Sequence, residues 1–351
     1  MGLIGAGRLG REVHLPCLRA IPKARVVAIA EPNTQARQLA TAMMPGAKGY
    51  ETAEELLADG QVEAVIIATP TATHAQLARH AFAAGKHVYL EKPIATTVEE
   101  GQSVIDAWRH SGRIGMVGFN YRLRPDYQRA AALVAANRLG RIKLVSVTFT
   151  TQSGRAQGWR DGNQAGGGVL LDLASHEFDL VHFVLGEPIA RIQAFAYPQP
   201  DDAGQTIHVQ ASTASGVAIR GFFSSETTDA AGMEIVGSDG KLKIDRYAGL
   251  VVDQQGVSAR GAIGRIAAAF RNLTRIDHFA RRHRAPWKEV SFGLALSRFV
   301  LAVADKNQHA PGIDAGFQSL SVVLAAQNSL ATGQAVNVSS ITSQGTDNIT
   351  S

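Results

Sequence analysis

The first third of the chain alternates short apolar, β-branched runs with stretches of helical spacing. Runs at residues 3–4, 26–30, 64–68, 87–90 and 115–118 are apolar without polar alternation, as strands covered on both faces are. Strand, helix, strand in sequence requires parallel pairing through right-handed crossovers, which predicts a doubly wound α/β sheet. The strand ahead of the first glycine turn is unusually short, so either it is clipped or the start lies upstream. Beyond about residue 120 the texture changes. A helix is expected around 125–136, a long strand at 143–151, and a helix from the glycine run at 166–168 through Leu185. Between 189 and 252 apolar and polar positions alternate, as in 208–213, 217–224 and 233–236. Such alternation predicts an antiparallel sheet with one face covered. Helical spacing returns at 262–280, 292–305 and 317–330, and the polar tail after Asn337 is expected to be disordered.

Composition narrows the class without choosing a partner. At 351 residues, with 45% hydrophobic and 19% charged, the chain is too long for one small module and too apolar for a disordered one. A formal charge of +5 is a mild surplus. Cys17, the single cysteine, forms no internal disulfide and offers no metal cage, and it reads as a small buried hydrophobe on the first helix. No metal site is expected. Without a run of about 18 apolar residues or an N-terminal leader, a cytoplasmic protein with no membrane span is expected. In the stretch 262–284, Ile263, Ile266, Phe270, Leu273, Ile276 and Phe279 are faced by arginines. This reads as a helix packed on the sheet with a solvated basic face. No recognised nucleic-acid module accompanies the charge, so no nucleic-acid partner is expected.

Chemistry enters at Gly5-Ala6-Gly7-Arg8-Leu9-Gly10, which follows the first strand and opens a helix. In such a loop one glycine permits the tight turn, the next lets backbone approach a pyrophosphate, and the third packs helix on strand. Glu31 stands at the end of the second strand, where a carboxylate takes ribose hydroxyls. A 2′-phosphate beside it is repelled, so NAD is favoured; Arg37 partly offsets that repulsion and leaves NADP open.

Three further stretches carry a family resemblance. They are Thr69-Pro70-Thr71-Ala72-Thr73-His74, Glu91-Lys92-Pro93, and the run from Gly168 to Asp179 containing Asp172-Leu173-Ala174-Ser175-His176. With the glycine loop, the chain resembles the Gfo/Idh/MocA oxidoreductases, by motif over about residues 2–185. The resemblance implies a Rossmann domain at 1–119, an α+β domain with a large, mainly antiparallel open sheet at 120–338, and a tail at 339–351. It implies Lys92, Asp172 and His176 as the catalytic set, and a homodimer or homotetramer joined through the open sheet. The departure is Ala174-Ser175, where many members have glycine. Thr69, Pro70, His74, Glu91 and Lys92 are expected on the cofactor side, His74 as a support. Asn120 and Tyr121 fall where the resemblance places substrate contacts. Trp159 and Arg160, on a polar loop, suit a sugar ring or an anionic substituent.

Asp172 and His176 are spaced i, i+4, which puts both on one helix face. The carboxylate would orient the imidazole, the imidazole would move a hydroxyl proton, and the Lys92 ammonium would polarise the oxygen. The expected activity is hydride transfer between a nicotinamide and a ring hydroxyl or ketone of a sugar or polyol. A silent ligand sensor of the same fold and a redox-neutral glycosidase stand as alternatives.

Overall fold

The computed structural model describes residues 1–152, 168–197, 206–247, 249–253 and 289–341. Trp159, Arg160 and the basic stretch 262–284 lie outside them. The chain opens with β1 (Gly2–Ile4), α1 (Leu15–Arg19), β2 (Ala28–Ala30), α2 (Thr34–Met43), β3 (Lys48–Tyr50) and α3 (Ala53–Ala58). It continues with β4 (Ala64–Ile67), α4 (His74–Ala83), β5 (His87–Leu90), α5 (Val98–Ser111) and β6 (Gly115–Val117). All six strands pair in parallel in the order β3-β2-β1-β4-β5-β6. The order reverses between β1 and β4, and at such a switch point the carboxyl ends of the strands leave a ligand crevice.

Strand β3, like the two-residue strand Val336–Asn337, is missing from the sequence reading. Lys48 and Gly49 are exposed and Tyr50 half-buried, so this three-residue edge strand carries no apolar run to reveal it. The second strand is also shorter than its apolar run, beginning at Ala28.

The second layer contains α6 (Pro125–Ala135), β7 (Ile142–Gln152), α7 (Ser175–Leu185), β8 (Ile189–Ala196), β9 (Thr206–Thr213) and β10 (Ala218–Ser224). It adds β11 (Glu226–Gly237), β12 (Lys241–Asp245), β13 (Gly249–Asp253), α8 (Val290–Asp305), α9 (Ile313–Thr332) and β14 (Val336–Asn337). Its eight strands run β13-β12-β11-β7-β10-β9-β8-β14. Among the described residues only β7 and β10 pair in parallel; the other pairs are antiparallel. Helices α7 and α9 cover the inner face.

One core runs from the nucleotide sheet through Ile94, Phe119, Tyr127, Phe178 and Val323 into the inner face of the open sheet at Val147, Val209 and Ile235. A second core lies on the opposite face of the nucleotide sheet, where Leu296 and Phe299 of α8 pack with Leu3, Leu15 and Tyr89. The chain therefore returns from the open sheet to cover its first domain. Beyond β14, residues 338–341 form a helical turn with Ile341 buried. The rest of the expected tail, 342–351, lies outside the described residues. No helix among the described residues is long and apolar enough to cross a membrane.

Candidate active site

The glycine loop divides its tasks as the spacing requires. Gly5 turns at φ +91, where a side chain would strike the Ala68 carbonyl at 2.6 Å. A Cβ at Gly10 would meet the Gly5 carbonyl oxygen at 2.4 Å, so this glycine is what lets the helix sit on β1. At Gly7 nothing lies within 4 Å. Its bare backbone faces open space beside the start of the helical segment, where amide groups point outward. These residues fit a dinucleotide.

Glu31 closes the loop from β2. One carboxylate oxygen accepts the Ala6 amide at 2.8 Å and the other the Asn33 amide at 3.0 Å. Those bonds fix the carboxylate and leave lone pairs for ribose hydroxyls. Arg37 is folded back, with Nη1 donating to the carbonyls of Glu31 and Pro32. It is engaged there rather than extended from the helix as a counter-charge. Arg8 pairs with Glu12 at 3.1 Å on the surface, and Leu9 leads into a π-turn at Gly10–His14.

The loops after β4 and β5 are tied together by a buried histidine. His74 Nδ1 lies 2.7 Å from the Pro93 carbonyl and Nε2 2.9 Å from that of Thr69. Burial lowers its pKa against the pull of those two acceptors. Pro70 precedes the turn Thr71–Thr73 that leads into α4. His74 thus supports the loop. Glu91 is interior too: it is 4% exposed, with Oε1 3.0 Å from His14 Nε2 and Oε2 accepting the Lys92 amide at 3.3 Å. Gly118 leaves room for that carboxylate, which a Cβ would meet at 2.7 Å.

From this anchored loop Lys92 crosses to the second layer. Its Nζ donates to both the carbonyl and Oδ1 of Asp172, each at 2.8 Å. The helix expected through Asp172 and His176 begins as a π-turn, Leu170–Ala174, and becomes α-helical at Ser175. The wider turn alters the simple i, i+4 geometry, and Asp172 Oδ1 meets the lysine ammonium.

His176 is 9% exposed within Tyr121, Phe119 and Phe149, whose ring centroids lie 4.7, 6.2 and 6.4 Å from its own. Burial first, then the charges of Lys92 and Arg246, hold its pKa well below the ordinary value. The imidazole is therefore held in its neutral form at neutral pH. Behind it Arg246 pairs with Glu177 in a fully buried contact and donates to the Tyr127 hydroxyl at 3.1 Å. Asn120 is buried, its amide donating to Ser291 at the start of α8 at 2.8 Å.

The structure thus gathers Lys92, Asp172, His176 and Tyr121 beyond the carboxyl edge of the nucleotide sheet. Arg246, Glu177, Tyr127 and Phe149 were not singled out in the sequence. Glu177 and Asp179 carried a usable signal, since two acids on an otherwise apolar helix demand buried cations; Arg246 and Arg122 are those cations.

A switch-point nucleotide crevice, a fitted glycine loop and an appended open sheet define the class of two-layer dinucleotide-binding proteins. Within it the chain belongs to the Gfo/Idh/MocA family. The model described as "Oxidoreductase family, NAD-binding Rossmann fold" matches residues 1–119, and "GFO/IDH/MocA C-terminal domain" matches 127–243. Inositol 2-dehydrogenase of Rhizobium meliloti is 33% identical over 223 residues, which cover 61% of this chain and 65% of that protein. 1,5-anhydro-D-fructose reductase of Ensifer adhaerens is 33% identical over 200 residues, 56% of this chain and 59% of the relative. The matched stretches thus span from about half to just under two thirds of the curated relatives. The WlbA dehydrogenase of Bordetella pertussis, solved with NADH and UDP-GlcNAcA, shares the fold with a TM-score of 0.80 and 22% identity over 96% of both chains. Levoglucosan dehydrogenase with NADH gives 0.80 and 22% over 96% of this chain and 98% of that one.

Proposed function

We propose that the protein is an NAD-dependent dehydrogenase acting on a ring hydroxyl, or in reverse a ring ketone, of a sugar, polyol or sugar derivative. The observation that carries the reading is the Lys92 ammonium, fixed 2.8 Å from Asp172 beside a neutral, buried His176. NAD, when bound in the glycine loop, supplies a hydride acceptor. The chain's own residues handle the oxygen and its proton. Lys92, held by Asp172, presents donors to the hydroxyl oxygen and stabilises the charge it gains as the carbonyl forms. His176 takes the hydroxyl proton at a ring nitrogen, and in the reverse direction returns it. Tyr121 and Phe149 give an apolar wall against which a sugar ring packs and from which water is excluded.

Glu31 favours NAD over NADP. The relatives, an inositol 2-dehydrogenase and a 1,5-anhydro-D-fructose reductase, support the substrate class. A cytoplasmic location and assembly through the outer sheet face, where Phe195 and Tyr197 are exposed, belong to the same reading.

The test is absorbance at 340 nm with NAD or NADP and a panel of inositols, aldoses, amino sugars and nucleotide sugars. A signal is expected, reduced about 10²- to 10⁴-fold by Lys92→Ala or His176→Ala while NADH binding persists. Tight NADH binding without any signal, in a chain that releases sugar from a glycoside, would replace the reading with a redox-neutral glycosidase. Binding with neither outcome would leave a sensor.

A further inference from the structure

An imidazole among aromatic rings is ordinarily drawn toward its protonated form, because each ring presents negative charge on its face. His176 stands among three such rings, yet two of them are already engaged by another cation. The Arg246 guanidinium carbon lies 4.1 Å from the centroid of Tyr121 and 4.8 Å from that of Phe149. With the Tyr121 centroid also 4.7 Å from the His176 ring, the guanidinium and the imidazole are at most about 9 Å apart in a low-dielectric interior.

Glu177 fixes Arg246 in that position. The pair is buried, and the Arg246 carbonyl is held in turn by Arg124 Nη2 at 3.0 Å. Arg124 itself pairs with Asp126 and with Glu289, the residue that caps α8. The guanidinium is therefore held by α7 and its backbone by the start of α6, which is itself tied to the cap of α8. Its charge is permanent, since arginine does not deprotonate in proteins.

We propose that Arg246 is a positioning residue for His176: pinned by Glu177 and stacked on Tyr121 and Phe149, it engages the rings as a cation and keeps the neighbouring imidazole unprotonated, as a base. The groups facing His176 are Lys92 after β5, Tyr121 ahead of α6, Arg246 after β12, and Asp172 and Glu177 on its own helical segment, with Tyr127 of α6 behind Arg246. Asp172 Oδ1 engages Lys92 and one oxygen of Glu177 engages Arg246, so each acid on this segment carries a cation of its own. Burial acts in the same direction.

The proposal rests on the reading of His176 as a base, but its test requires neither nucleotide nor substrate. The full chain carries 11 histidines. With ¹³C-labelled histidine, the His176 resonance is assigned by its loss in His176→Asn and followed by NMR across pH. In the native chain it is expected to remain neutral at about pH 6, below the ordinary midpoint near 6.5. In the doubly neutral Arg246→Met/Glu177→Gln chain the midpoint rises by about one pH unit. Arg246→Lys, which retains the charge, titrates as the native chain does, a rescue that a purely steric role would not predict. Should the double variant fail to fold, Arg246→Gln with Glu177 intact raises the midpoint at least as far. A midpoint unmoved in the folded neutral variants, or raised equally by Arg246→Lys, overturns the proposal. Because the titration is independent of turnover, an inactive chain with the expected shifts refutes the dehydrogenase reading alone, and an active chain without them refutes this inference alone.

Discussion

Glu31 shows how much a single carboxylate decides at the nucleotide end. Its oxygens are held by the amides of Ala6 and Asn33, so it cannot swing away from a 2′-phosphate, and Arg37 is committed to backbone carbonyls. Two like charges about 4–5 Å apart repel by a few kcal/mol at an effective dielectric near 20. Glu31→Ser removes that repulsion. The ratio of NADPH to NADH dissociation constants, read from nucleotide fluorescence, is expected to fall tenfold or more. An unchanged ratio would mean that another group sets the preference. This residue was legible in the sequence because position and chemistry coincide: an acid at the tip of the second strand after a glycine loop has one evident task. Arg37 was legible only as a nearby charge, since a flexible side chain chooses among acceptors that only the folded backbone supplies.

At the scale of elements, the glycine loop and the helix it opens separate folding from binding. Gly10→Ala places a methyl 2.4 Å from the Gly5 carbonyl oxygen, a backbone atom that has no rotamer with which to yield. A loss of about 1–3 kcal/mol in unfolding free energy is expected, together with loss of nucleotide binding. Gly7→Ala meets nothing within 4 Å. Its melting temperature should match the native one while NADH affinity falls tenfold or more, because the methyl projects into the space a pyrophosphate backbone contact needs. Equal thermal losses in both variants would contradict this division. The strands of the nucleotide sheet were legible from their unbroken apolar runs, except β3, whose exposed Lys48 and Gly49 give no pattern. Leading into α7, the spacing of Asp172 and His176 announced a shared face, but the π-turn at Leu170–Ala174 is a tertiary adjustment with no local signal. It moves Asp172 to Lys92, 80 positions earlier in the chain. Arg246 was hidden for the same reason: it joins the cage through the sheet order that sets β12 beside β11, one strand from β7.

Across the whole molecule, the buried titratable groups of this junction make stability depend on pH in a direction that can be worked out. Burial lowers the pKa of His176 and His74 below the unfolded value near 6.5. As pH falls through that value the unfolded chain gains protons that the folded chain refuses, so stability is lost, at up to about 1.4 kcal/mol per pH unit for each such histidine. Above it their contribution is fully present. Two acids on α7 act oppositely. Burial raises Asp179 to about 6 against the pull of Arg122, and Glu177 is raised by burial against Arg246. Folded carboxyls then retain protons that the unfolded chain sheds above about pH 4, so their contribution fades as pH rises toward 6. Between pH 6 and 7 Asp179 is past its midpoint, while the two histidines act there together and dominate. Urea midpoints of the native chain are therefore expected to climb from pH 6 to 7 and to change less between 5 and 6, where the two sets offset each other. His176→Asn deletes one refused proton and should flatten the upper climb. Parallel curves for the native chain and His176→Asn would show that the imidazole takes up its proton equally in both states, and the neutral base of the proposed reaction would go with it.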